Sequence, residues 1–372
     1  MKTLLWLHRW AGLIAGIAIF VIAVTGCILT FENDIDRGLN RELMLVTPGP
    51  STVPLKDAVD AVRAAYPDDP PTGLSLPQKA NHSLTVSLKS GKSALVDPYT
   101  GRVLGRRDRL DGFARDVHLL HTRFMGGKTG EHLVGAFTVL TLLMAVSGLV
   151  LWWPRKILGV KASRSWRRFN FDLHNILGFY SAAVLVVTCA SGVIIAYEDV
   201  TDPLVLKLNT KPRPMPAQVS STVIPGVAPI GVDEAVRMAK EAMPGVFVSN
   251  VNLPAPGKAV YRLSVKYPED RTPAGRSRIA LDQYNGAVLD LISTRNQELG
   301  TQILNLKRSL HTGDVFGAPS LAIVFLASLM LAGQVVTGFL IWWKPGKFAL
   351  AANGTRTAPA SASGSAEPEA AI

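Results

Sequence analysis

Apolar positions in this chain gather into four long runs, at 4–31, 131–153, 172–197 and 319–343, each more than 20 residues and nearly free of internal charge. A bilayer core of about 30 Å takes about 20 helical residues to cross, and helices of soluble proteins rarely stay apolar on every face for so long. The pattern therefore predicts four membrane-spanning helices. Between the runs the periodicity changes. Lys56 to Tyr66 has helical apolar spacing at Ala58, Val59, Val62 and Ala65, Leu84 to Leu88 alternates as a strand, and Ala94 to Leu104 reads as strand, turn and strand around Gly101. The same order returns later, as a helix over Asp233–Pro244, a strand over Tyr261–Val265 and a hairpin over Ile279–Leu289. Leu110, Phe113, Val117, His121 and Phe124 form one helical stripe ahead of the second run, and Leu299, Ile303, Leu306 and Leu310 form another ahead of the fourth. Each suggests an amphipathic helix lying at a membrane surface.

Fixed spacings tie the two halves together. From His121 to Trp152 is 31 residues, and so is the distance from His311 to Trp342; each stretch opens on Leu-His-Thr and closes on Trp-Trp. His8 precedes Gly26 by 18 residues and Glu32 by 24, as His174 precedes Gly192 and Glu198. The expected fold class is a membrane protein, a four-transmembrane-helix bundle built as a tandem repeat with two external α+β units. Its parts are a first span (1–31), a first external unit (32–107), a surface helix (108–130), a second span (131–153), an inner loop (154–171), a third span (172–198), a linker with the second external unit (199–298), a second surface helix (299–318), a fourth span (319–343) and an Ala/Ser/Gly/Pro-rich tail (344–372) expected to be disordered. With an even number of spans per half, the repeats run parallel, about an axis along the membrane normal.

The net charge of +11 first suggests nucleic acid, but its placement reads as topology. Arg155, Lys156, Lys161, Arg164, Arg167 and Arg168 crowd the loop between spans two and three, with no acid among them. Basic loops stay in the cytoplasm, so both termini are expected inside and the two α+β units outside, with no nucleic-acid partner. Val24-Thr25-Gly26-Cys27 has the look of a lipoprotein cleavage site; its counterpart Gly192-Val193 lies deep in a span, so the first run is expected to stay as an anchor. Cys27 and Cys189 both lie within apolar runs, which suggests packing rather than disulfides. The absence of Cys-x-x-Cys-His excludes covalent c-type haem.

The matched histidines carry the candidate chemistry. His8 and His174 fall near the inner surface, and His121 and His311 near the outer one. Symmetry mates can face each other across the bundle axis, and two opposed imidazoles are what six-coordinate b-type haem requires. The expectation is two b haems, an inner one held by His8 and His174 and an outer one held by His121 and His311. His132 breaks the symmetry, since its counterpart is Ala322, and stands as an alternative outer ligand. His118 and His121, three apart on one helix, also suit a transition metal. Arg9, Arg123 and Arg308 lie beside the ligands as candidate partners of haem propionates. No nucleotide-binding motif appears, so electrons are expected from membrane quinol or a separate donor.

Trp6-Leu7-His8-Arg9-Trp10-Ala11-Gly12-Leu13, Thr25-Gly26 with Phe31-Glu32, Leu120-His121-Thr122, the Ser147 to Pro154 segment and Leu310-His311-Thr312-Gly313 together resemble the PepSY-associated transmembrane family, over about residues 1–347. Asp97-Pro98-Tyr99-Thr100-Gly101 and Asp282-Gln283-Tyr284-Asn285-Gly286 look like the turns of PepSY domains. The arrangement is similar to the FoxB-type siderophore reductases of the bacterial inner membrane. That resemblance implies a multi-pass oxidoreductase with b haems, which reduces a periplasmic ferric siderophore and releases ferrous iron without an acid–base triad. The other implied reading is a non-enzymatic, membrane-anchored PepSY module that binds or regulates a partner protein or peptidase.

Overall fold

The computed structural model of the chain describes residues 1–108, 112–160 and 165–343. Arg109, Leu110 and Asp111 of the first expected surface helix, Lys161 and Arg164 of the basic loop, and the whole tail 344–372 lie outside the described residues. In chain order the elements are α1 (Lys2–Thr30), α2 (Glu32–Leu39), α3 (Arg41–Met44), α4 (Leu55–Ala65), β1 (Pro71–Ser75), β2 (Leu84–Leu88), β3 (Ser93–Val96), β4 (Val103–Arg107), α5 (Phe113–Arg123), α6 (Gly127–Trp152), α7 (Trp166–Ala196), α8 (Glu198–Leu206), α9 (Val232–Ala242), β5 (Phe247–Asn252), β6 (Val260–Lys266), β7 (Ser277–Asp282), β8 (Val288–Ile292), α10 (Leu299–Thr312) and α11 (Ala318–Trp343).

Among the described residues four helices, α1, α6, α7 and α11, are long and apolar enough to cross a membrane, and the chain is a multi-pass membrane protein. They close a ring: α1 packs on α6, α6 on α7, α7 on α11 and α11 back on α1. This leaves α1 diagonal to α7. Lipid gives no hydrophobic drive to helix association, so close fit between small residues must hold the ring. In α1, Ala15, Gly16 and Ala23 point inward and are buried, while Ile14 and Ile17 face out at 79% and 83% exposure. A Cβ on Gly16 would already stand 3.4 Å from Val335 of α11.

Two of these helices begin earlier than their hydropathy predicts. α6 starts at Gly127 rather than 131, and Lys128 and Glu131 form an i,i+3 ion pair at 3.3 Å in its polar opening stretch. The corner before it is tight: Phe124 and Met125 have positive φ, and a Cβ on Gly130 would stand 1.6 Å from the Arg123 carbonyl, so only glycine fits there. The first surface helix thus ends at Arg123. α7 starts at Trp166, six residues ahead of its apolar run, and turns Arg168 and Asp172 into an i,i+4 pair at 2.7 Å.

The largest departure is in the α+β parts. They are not two separate units. Their strands form one eight-stranded antiparallel sheet in the order β4-β3-β2-β1-β5-β6-β7-β8. The seam is β1 against β5, with Gly73 opposite Asn252, Leu74 opposite Val251 and Ser75 opposite Asn250. Joining these two strands removes two exposed edges, each of which would present unpaired backbone groups. Helices α4 and α9 cover one face, and a single core runs through both halves, from Val59 and Val62 through Leu74 and Val251 to Val236 and Leu281. α4 has no cap of its own, since Pro54 precedes it; Asp233 of α9 reaches across and accepts from the backbone N–H of Leu55 at 2.8 Å and of Lys56 at 2.9 Å.

Candidate functional site

Each of the four matched histidines meets the same three features. First, its Nδ1 touches a neighbouring helix. His8 lies 2.9 Å from Ser147 Oγ on α6, and His174 lies 2.9 Å from Thr337 Oγ1 on α11. His121, on α5, lies 2.9 Å from Thr25 Oγ1 and 3.1 Å from the Ile22 carbonyl on α1. His311, on α10, lies 2.8 Å from the Thr188 carbonyl on α7. Second, the tautomer follows from these partners. Ser147, Thr337 and Thr25 already donate their hydroxyl hydrogens to the carbonyls of Met144, Gly333 and Val21, so toward the imidazoles they accept. Carbonyls only accept. All four Nδ1 atoms therefore carry the proton and donate it, which leaves every Nε2 lone pair free for a ligand.

Third, each ring edge lies over a glycine. A Cβ would stand 3.4 Å from His8 Cε1 at Gly148, 3.3 Å from His174 Cε1 at Gly338, 3.3 Å from His121 Cε1 at Gly26 and 3.0 Å from His311 Cε1 at Gly192. These contacts set ring position from one side while the hydrogen bond sets it from another. Such outer contacts orient metal-bound imidazoles.

Two of the rings then meet directly. His121 and His311 have ring centres 6.2 Å apart with planes at 53°. A metal–imidazole bond of about 2 Å on each side of one iron, plus the imidazole radius on each side, puts opposed ring centres about 6 Å apart. The pair fits that spacing. Both are neutral at neutral pH: burial, with the neighbouring His311 adding to it, pushes the His121 imidazole down to about 3, and burial lowers His311 as well. His8 and His174 stand on the diagonal helices α1 and α7, each turned toward a hydroxyl of the next helix.

The remaining expected residues sort themselves by position. His132 is exposed on α6 and stacks against Tyr197, with ring centres 6.5 Å apart, so it stands outside the His121–His311 pair. His118 is half-buried beside His121; among the described residues no three His, Cys, Asp or Glu gather as for a metal ion. Arg123 lies 3.4 Å from Glu131, Arg9 is exposed over the Trp10 ring at 5.7 Å, and Arg308 is exposed one turn before His311. Cys27 and Cys189 are both buried and free.

The hydroxyls and carbonyls that fix the ring tautomers are the part that sequence reasoning overlooks. Their signal is present: Ser147 and Thr337 sit five residues before Trp152 and Trp342, and Gly148 and Gly338 follow them directly. A search of curated proteins finds no match to the chain. A family model described as the PepSY-associated TM region matches residues 5–344, nearly the whole of the described chain, and the protein belongs to that family.

Proposed function

We propose that this chain is a di-haem b reductase of the bacterial inner membrane, built as a tandem repeat with both termini cytoplasmic and the sheet in the periplasm. It passes electrons across the membrane to a ferric siderophore and releases ferrous iron. The observation that carries this reading is the opposed pair His121 and His311, neutral, with both Nε2 atoms free and ring centres 6.2 Å apart. His121 and His311 would hold the outer haem, and His8 and His174 the inner one. When bound, the haems supply a one-electron couple at each end of the bundle.

The protein's own residues do the rest. Ser147, Thr337, Thr25 and the carbonyls of Ile22 and Thr188 hold the imidazoles in the Nδ1–H tautomer. Gly26, Gly148, Gly192 and Gly338 let the rings sit against the helices. The apolar ring of spans excludes water from the path between the two ends. Each ferric ion takes one electron, and no bond to the protein forms or breaks. Hard oxygen donors hold ferrous iron more weakly, so the metal leaves the chelate. Membrane quinol as donor gives two electrons and two protons, enough for two ferric ions; a separate reduced protein is the other class of donor. Arg9 and Arg308 are free of ion pairs among the described residues and stand as candidate propionate partners, while Arg123 is already occupied by Glu131.

Reduction of a ferric siderophore by quinol-charged membranes, with ferrous iron trapped by a chromogenic chelator, tests this reading. His311→Ala is expected to abolish one low-spin haem signal and most of the reduction rate while the other signal stays. An unchanged spectrum and rate would contradict it.

A further inference from the structure

The arginines around the sheet fall into two sets, those with acidic partners and those without. Arg107 makes a two-pronged pair with Asp36 at 2.8 and 3.0 Å, Arg106 reaches Asp69 at 3.5 Å, and in the second half Arg295 reaches Glu269 at 2.7 Å. In the second half Arg276 and Arg278, before and within β7, are exposed. Ile279 and Leu281 of the same strand enter the core below α9, so Arg278 stands on the face away from that helix. Arg308 of α10 and Arg213 of the linker lie close enough to Arg276 to repel its charge, as Arg278 does. Among the described residues none of the four has an acidic partner; the hydrogen bond of Arg213 goes to neutral Asn305 at 3.4 Å. A fifth positive charge, Arg271, lies 5.3 Å over the ring of Phe316, in the turn that follows His311.

Guanidinium groups gathered without acids repel one another, and the arrangement is relieved when an anion enters. Their planar forks match carboxylates in particular. The location adds a purpose. Arg308 is three residues before His311 on the same helix, and Arg213 is tied to that helix at Asn305. The cluster thus lies between the sheet and the helix that carries an outer ligand.

We propose that Arg213, Arg276, Arg278 and Arg308 form a docking site for a carboxylate-bearing, net-negative ferric chelate, held next to the outer histidine pair. This rests on the reductase reading and narrows its substrate: anionic carboxylate chelates are taken in preference to uncharged hydroxamate ones. Carboxylates have a second source here, the propionates of a bound haem, and the test separates the two.

The probe is gallium(III) citrate, which copies the charge of the ferric complex and accepts no electron, with an uncharged gallium trihydroxamate as its partner. Binding is measured on purified full-length protein, with haem content read on the same preparation. The wild type is expected to bind gallium citrate more tightly than the trihydroxamate, and less tightly as ionic strength rises. Arg276→Gln with Arg278→Gln, at two exposed positions, is expected to weaken citrate binding by about tenfold or more and leave the trihydroxamate unaffected. Equal affinity for the two probes in the wild type, or unchanged citrate binding in the double variant, overturns the proposal. A shifted haem spectrum with unchanged citrate binding also overturns it, by giving the guanidinium groups to the propionates. Gallium binding needs no redox chemistry, so a colourless protein would end the reductase reading while the docking site was still measured.

Discussion

The helical bundle and the sheet are each made of two matched halves, and they keep that match to different degrees. In the bundle the correspondence reaches individual atoms: His8 on Ser147 beside Gly148 is answered by His174 on Thr337 beside Gly338, and His121 on the Ile22 carbonyl beside Gly26 by His311 on the Thr188 carbonyl beside Gly192. In the sheet the strand order and the two turns survive, with Asp97 accepting from the Tyr99 N–H as Asp282 does from the Tyr284 N–H, but the contacts around them differ. Asp233 caps α4 with nothing given in return, and the second half carries a group of arginines, Arg276, Arg278 and Arg308, without ion-pair partners among the described residues. In the proposed reading one iron between two imidazoles would demand the same of both sides. A solvent-facing surface is under no such demand, so its halves are free to differ.

Gly192→Val puts a branched side chain where even a Cβ would lie 3.0 Å from His311 Cε1, so the imidazole must move. Loss of the outer low-spin signal in an otherwise folded protein is expected; Gly26→Val, starting from 3.3 Å, should do the same less completely. Thr337→Val removes the acceptor that holds His174, and a titration of haem into apoprotein should show affinity at the inner site down about tenfold or more, with the outer site unchanged.

The sheet should respond separately. A Cβ at Gly73 would meet the Val251 carbonyl at 2.8 Å, across the seam. Gly73→Val is expected to destabilise the sheet domain by about 1–3 kcal/mol, seen as a lower denaturation midpoint with an unaltered haem spectrum. Asp233→Ala uncaps α4 and should cost about 1 kcal/mol by the same assay. The smallest effect belongs to Glu298, which ties Thr210 and Lys211 of the linker to the start of α10. The Thr210 hydroxyl, then the Lys211 N–H, hold its carboxyl below the usual range. A depressed carboxylate contributes above its unfolded pKa, and the contribution fades as pH falls through the folded value. Amide exchange at Thr210 and Lys211 should therefore quicken only below the ordinary glutamate range, once the intrinsic pH dependence of exchange is removed.

Much of the bundle was legible because lipid imposes simple terms. Runs at 4–31 and 319–343 announce α1 and α11 almost to the residue, and the register of four histidines points to their pairing. The polar turns at each end were not legible from hydropathy: Gly127–Glu131 and Trp166–Phe171 continue helices whose sequences there look like loop. α2 and α8 were missed for the same reason, being short and acidic at their starts. The strands β1 and β5 escaped because Pro71-Thr72-Gly73 and Ser249-Asn250 are poor strand formers; tertiary pairing across the seam overrides them. Spacing alone also does not separate His121 from His132: α5 folds back at Phe124 and carries His121 toward His311, while His132 is exposed on the next helix.

The most direct measurement is a pyridine haemochrome on protein purified from haem-replete cells. A red protein with about two b haems per chain, one for each proposed histidine pair, is the expected result. A colourless preparation, or one that never exceeds a single haem, would contradict it.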